Sequence, residues 1–177
     1  INFINDIIAP SFAVASVNKE NKVIMNVVNS NSTAVSLATD EAVETGLART
    51  INSFKPLVRS GLIIVTNNAG YNYLDTLKDS NGRKSDDITY VNGVLYFKNK
   101  EVVEVDDTLL PSLASGKTMQ FYAANLKTVP FFDRKGIEIS SSTDAGFTKN
   151  KTLVKVLERF DIKQNPNTKL KAKKIQA

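Results

Sequence analysis

The chain has 177 residues, 42% hydrophobic and 23% charged, and its 23 Lys and Arg against 18 Asp and Glu leave a net charge of +5. That profile predicts a soluble globular fold with apolar material for one sizeable core, as one domain or slightly more. Histidine and cysteine are both absent, which excludes a Ser-His-Asp triad, a Cys-His pair, thiolate redox chemistry and any zinc site built on those ligands.

At the start of the chain, Ile4, Ile7, Ile8, Phe12, Val14, Val17, Ile24, Val27 and Val28 recur at helical spacing and predict a long helix over Ile1–Asn29. Pro10 lacks a donor for the preceding turn, so the helix kinks there or starts beside it. These residues lack the basic start and cleavage site of a signal peptide, and no apolar run reaches the ~18 residues of a membrane span. The protein is therefore expected inside the cell at synthesis, and an opening Ile1 reads as a processed chain or a piece of a longer one. A second helix is expected after Thr39 as N-cap. Asp40, Glu41 and Glu44 stand at its positive end, Val43, Leu47, Ile51 and Phe54 form one stripe, and Pro56 closes it.

Leu62-Ile63-Ile64-Val65 reads as a strand buried on both faces. Asn67 or Asn68 then caps a short helix carrying Tyr71, Leu74 and Leu77, and Asp79-Ser80-Asn81-Gly82 forms a turn. Beyond a polar stretch at Asp86-Asp87, Val94–Phe97 and Val102–Val105 read as strands joined through Lys98-Asn99-Lys100. From Thr118 onward Met119, Phe121 and Ala123 alternate with Gln120 and Tyr122, and further strands follow at Val129–Phe132, Ile137 to Ile139 and Leu153–Phe160. The last third is expected to be an antiparallel sheet. The positive excess gathers at Lys169, Lys171, Lys173 and Lys174. It reads either as a solvated, mobile terminus or as a contact for phosphate or an acidic surface.

No motif brings catalytic groups together. Gly116-Lys117-Thr118 imitates the end of a phosphate-binding loop, but Pro111 stands where that loop needs its first glycine. Asp86-Asp87 and Asp106-Asp107 lack the ligand ladder of a calcium loop and suit turns. Glu101, Glu104 and Glu138 mark the wet side of strands, and Arg134 and Arg159 suit packing boundaries.

The order of elements resembles the tailed-phage major capsid proteins of the Hong Kong 97 type. Phe12-Ala13-Val14 with Asn18 to Ile24 is similar to the end of that family's spine helix. Ile63 to Asn67, Gly70-Tyr71, Leu74-Asp75 and Leu77 to Arg83 resemble its strand-helix-turn segment, and Glu101 to Asp107 with Leu110-Pro111 resembles the next strand. Phe132 to Ile137 and Phe147 to Asp161 resemble the return strands. Asn99-Lys100-Glu101 and Ala124-Asn125 depart from the family's turn residues, and its N-terminal arm and extended loop have no counterpart.

The resemblance implies an α+β fold in which an axial domain (36–116) is inserted into a peripheral domain. The peripheral domain comprises the spine helix (1–29) and antiparallel return strands (117–166), and a basic tail (167–177) follows. It implies a structural subunit, not an enzyme, that needs no cofactor and no metal. Copies would form pentamers and hexamers and close an icosahedral shell around packaged DNA, which is enclosed without sequence-specific binding. Scaffolding, portal or decoration proteins are the other expected partners, and the shell is expected to be a virion capsid of a phage or prophage, made in the bacterial cytoplasm. An encapsulin-like nanocompartment shell is the alternative on the same fold. Subunit contacts are expected from the polar turn at Asp79, Asn81, Arg83, Asp86 and Asp87, at the tip of the axial domain. Exposed apolar residues are expected on the first helix, at Val14, Val17 and Ile24.

Overall fold

The computed structural model describes residues 4–142, 153–163 and 172–177. Helix α1 runs Ala9–Ser30 behind a π-helical turn at Ile4–Ile8. Pro10 sits in the first turn of the α-helix, directly behind the π-helical turn; without an N–H it cannot carry that turn's bonding forward, and the α-helical register begins beside it. At the far end the Asn31 backbone N–H and side-chain amide both donate to the Val27 carbonyl, at 3.2 and 2.7 Å, and close the helix.

Strand β1 (Ser32–Ala34) leads to helix α2 (Val43–Asn52), which begins later than its acidic cluster suggests. Thr39 is not its cap. Asp40 takes a left-handed conformation (φ 61°), and the helix starts after Ala42, which offers no side-chain acceptor. Glu41 instead accepts the Ala38 N–H at 2.8 Å and pairs with Arg49 at 2.8 Å, tying the incoming loop to the helix. The apolar stripe holds: Leu47, Ile51 and Phe54 are buried, Phe54 from beyond the helix end, and Pro56 opens the short helix α3 (Pro56–Arg59).

Strand β2 (Ile63–Thr66) and helix α4 (Asn68–Asp75) follow, and the Asn67 side chain caps α4 by accepting the Gly70 N–H at 3.2 Å. The polar stretch then hides a strand, β3 (Ile88–Val91), paired antiparallel with β4 (Val94–Phe97). Its signature is Asn92-Gly93 (φ 51° and 80°), a two-residue turn whose left-handed backbone matches the twist of paired strands. Lys98 and Asn99 (φ 48° and 60°) repeat that geometry between β4 and β5 (Lys100–Glu104), where a strand connection is expected.

The last third is not one antiparallel sheet. β6 (Gln120–Ala124) inserts antiparallel beside β2 in a seven-stranded sheet of order β1-β9-β6-β2-β5-β4-β3. Its alternation separates two cores, because helices cover both faces. On one face Phe121, Ala123 and Ile64 meet Leu47, Ile51 and Leu74; on the other Tyr122, Ala124 and Val65 meet Met25, Val28 and Leu110. The lysine-rich end supplies β9 (Ala172–Gln176), parallel to β1 and antiparallel to β6, so the expected basic tail is in part a central strand. Ala172 and Ile175 are buried, one in each core.

Among the described residues, only β7 (Phe131–Ser142) and β8 (Leu153–Ile162) form a separate antiparallel ribbon. Asp133 to Gly136, which read as a break between two strands, is absorbed into β7 by register shifts between Asp133 and Glu138. The N-terminal half of α1 packs on β8, with Ser16 donating to Glu158, while Phe131 and Phe160 stack at 5.7 Å. Val14 and Val17 are exposed on α1, as expected, while Ile24 is half-buried.

Candidate subunit-contact site

The connection from α4 to β3 returns on itself beside the sheet's open edge. Its base is closed by the Ser85 N–H donating to the Leu77 carbonyl at 3.0 Å and by a bridge between Lys78 and Lys84. Its tip is organised by Asp79, whose Oδ1 accepts the backbone N–H of Asn81 at 2.9 Å and of Arg83 at 2.8 Å. The Asp79 N–H donates to the Arg83 carbonyl at 2.8 Å, and the Gly82 N–H donates to the Asp79 carbonyl at 3.0 Å. Gly82 supplies the left-handed residue this reversal needs, at φ 77°.

The five residues expected at a contact thus divide by role. Asp79 spends its carboxylate on the turn's own backbone. Asp87 is half-buried and pairs with Lys98 at 2.8 Å, whose backbone N–H also donates to the Asp87 carbonyl at 2.8 Å. Asn81, Arg83 and Asp86 face outward. The structure adds residues that sequence reasoning missed. Asp75, at the end of α4, accepts from Lys84 Nζ at 3.0 Å and from the Tyr90 hydroxyl, and Lys84 Nζ lies 4.3 Å from the Tyr90 ring centroid. The Tyr90 and Lys84 donors hold the Asp75 carboxyl below the usual carboxylate range, and Asp75 in turn raises Lys84 and Tyr90. Asn92-Gly93 was the one signal that could have revealed strand β3 and brought Tyr90 into view.

The remaining candidates are structural. Asp106 accepts from the Thr108 N–H at 2.7 Å and hydroxyl at 2.6 Å, bonds that lower its carboxyl and define a local turn. Glu104 is exposed and accepts from Asn68 Nδ2 at 2.8 Å, and Glu101 and Glu138 are exposed on strands. Arg134 and Arg159 are exposed on the ribbon and not set into a packing boundary. Gly116 turns the chain at φ 77°, and Thr118 then donates its N–H to the Ala177 carbonyl at 2.9 Å, so this segment ends a sheet. Lys173 Nζ donates to Ser53 Oγ at 2.6 Å and Lys174 Nζ to Asn29 Oδ1 at 3.0 Å, fastening β9 to both helical layers. Lys169 and Lys171, and Phe147 of the family-like return segment, lie outside the described residues. Among the described residues no group of three or more acidic side chains could hold a metal ion, and no helix is long and apolar enough to cross a membrane.

A layered sheet flanked by a long helix and a projecting two-stranded ribbon is thus joined to a site without convergent chemistry. A family model described as the phage capsid family matches residues 2–167. The chain belongs to the phage capsid family. It is a structural capsid subunit, and its fold is of the Hong Kong 97 type. Among solved structures it is similar to one titled as the capsid of an empty GTA particle computed with C5 symmetry, with TM-score 0.68 and 13% identity over 99% of this chain and 68% of that one. It is also similar to the asymmetric unit of the bacteriophage PhiM1 mature capsid, with TM-score 0.59 and 10% identity over 95% of this chain and 64% of that one. The chain thus spans about two thirds of the length of each. No curated protein sequence matches it significantly. Neither structural relative favours the nanocompartment alternative.

Proposed function

We propose that copies of this chain associate head to tail into pentamers and hexamers that close an icosahedral shell around packaged DNA, with contacts at the Asp79–Asp87 turn. The observation that carries this reading is the pairing of an outward, pre-ordered polar turn with a sheet whose two edges differ. Strand β1 ends the sheet on one side and β3, next to the turn, ends it on the other. Two unlike edges support a heterologous contact, and such contacts generate rings when the rotation closes. In this reading Asn81, Arg83 and Asp86 reach the neighbouring copy, while Asp79 and Asp87 hold the turn in shape.

The axial region then comprises 36–116 together with β6 and β9, and the peripheral region comprises α1 and the β7–β8 ribbon. The subunit works mechanically and without catalysis. Scaffolding, portal or decoration proteins complete the particle, the DNA is enclosed without sequence-specific contacts, and synthesis takes place in the host cytoplasm. Electron cryomicroscopy of particles carrying this chain tests the reading. Density placing residues 79–87 against a neighbour around a five-fold or six-fold axis is the expected result; a turn facing open solvent in every copy refutes it.

A further inference from the structure

The geometry points to Asp75, Lys84 and Tyr90 as a surface clamp that pre-orders the Asn81–Arg83 tip for docking against a second copy of this chain. The inference rests on the contact reading above and assigns positioning roles to residues outside the docking face. The three side chains come from the end of α4, the returning limb of the turn and the edge strand β3. One carboxylate oxygen serves both donors: Asp75 Oδ1 takes Lys84 Nζ at 3.0 Å and the Tyr90 hydroxyl. Lys84 Nζ also donates to that hydroxyl at 3.3 Å while resting 4.3 Å from the ring centroid.

An isolated exposed ion pair does little to order a chain, because holding two long side chains costs about what the attraction returns. Here one ammonium is held by a carboxylate, a hydroxyl and an aromatic face at once, which is the network case where exposed charges do contribute. The clamp also sits at the base of the turn, beside the Lys78–Lys84 bridge, so it acts on the same closure as the backbone bonds. Fixing the base fixes where the Asp79-organised tip points. A tip already ordered in the free subunit loses less conformational freedom on docking, so the clamp strengthens association without touching the neighbour.

The test uses the chain from Ile1 to Ala177 and four variants. Lys84→Met keeps a stem over the ring and removes the charge; Tyr90→Phe keeps the ring and removes the hydroxyl. Lys84→Arg is the rescue, and the double variant Asn81→Ala with Arg83→Ala probes the tip itself. Hydrogen exchange at the Asn81 and Arg83 amides reports order in the turn, and light scattering from micromolar to about millimolar concentration reports self-association. The clamp variants are expected to speed exchange at those amides and to raise the midpoint concentration of association, each by about 2- to 5-fold. The thermal midpoint should move by less than about 4 °C, and Lys84→Arg should stay near wild type on all measures. Unchanged exchange overturns the inference whatever association does. Faster exchange with unchanged association, when the tip variant does weaken association, overturns the clamp's role alone. A tip variant that associates like wild type, or a chain that stays monomeric throughout, overturns the contact reading and the clamp with it.

Discussion

Gly70→Ala tests how closely helix α4 lies on the sheet. A Cβ at Gly70 would stand 2.1 Å from Thr66 Oγ1 and 2.9 and 3.0 Å from carbons of the Phe121 ring. Neither neighbour can retreat easily. Thr66 and Phe121 are both fully buried, and the Thr66 hydroxyl donates to the Gln120 carbonyl at 2.8 Å across the β2–β6 pair. Overpacking a tight core costs about 1–3 kcal/mol. Displacing the hydroxyl from its acceptor adds about 1–3 kcal/mol if the carbonyl is left unsatisfied. The gain in helix propensity from Gly to Ala returns at most about 1 kcal/mol. The net loss is about 1–5 kcal/mol, against the roughly 5–15 kcal/mol that holds a domain folded. With a urea slope of about 2 kcal/mol per molar, the midpoint should fall by about 0.5–2.5 M at unchanged slope. Gly46→Ala is the matched comparison: its Cβ would meet the end of the Leu37 side chain at 2.1 Å, and Leu37 is only half-buried and able to rotate away. An unchanged Gly70→Ala midpoint, or equal losses for the two variants, would refute the close approach of α4 to β2 and β6.

Other outcomes follow from the same packing. Leu47→Ala, Ile64→Ala and Ile175→Ala, each at a side chain no more than 1% exposed, should each cost about 2–5 kcal/mol in denaturant titrations; a harmless Ile175→Ala would mean that β9 is not part of the core. Thr50 Oγ1 is buried without a hydrogen-bond partner. Thr50→Val keeps the shape, removes an unsatisfied hydroxyl and should stabilise the protein by about 1 kcal/mol, read as a higher urea midpoint. Burial, reinforced by Glu44, pushes the Tyr73 phenol up to about 12. The unfolded chain releases that proton near the ordinary value of about 10, so stability is full below pH ~10 and declines as pH rises from there toward the folded value. Tyr73→Phe should flatten that part of the alkaline unfolding profile, and an unaltered profile would count against the Tyr73–Glu44 contact.

What sequence alone determined here was local. The periodicity of Ile7 to Val28, a helix disturbed or started at Pro10, a cap at Asn67 or Asn68 and the β-branched run of β2 each depend on residues within a turn or two of one another; the structure keeps the periodicity and the run, starts α1 beside Pro10 and caps α4 with Asn67. The absence of His and Cys and the scatter of the carboxylates along the chain likewise exclude most chemistry. Tertiary structure decided what the alternation at Phe121–Ala124 meant. A strand with a helix layer on either side alternates between two cores, and its own residues cannot tell that from one core and water. It also decided the fate of the lysine-rich end. Lys173 and Lys174 look like solvent-seeking charge, yet long aliphatic stems let them sit in a strand with their ammonium groups on Ser53 and Asn29, partners more than a hundred residues away. The clamp around Asp75 was invisible for the same reason. It joins a helix end, a turn and an edge strand, and only the folding of β3 back beside α4 brings those side chains within hydrogen-bonding distance.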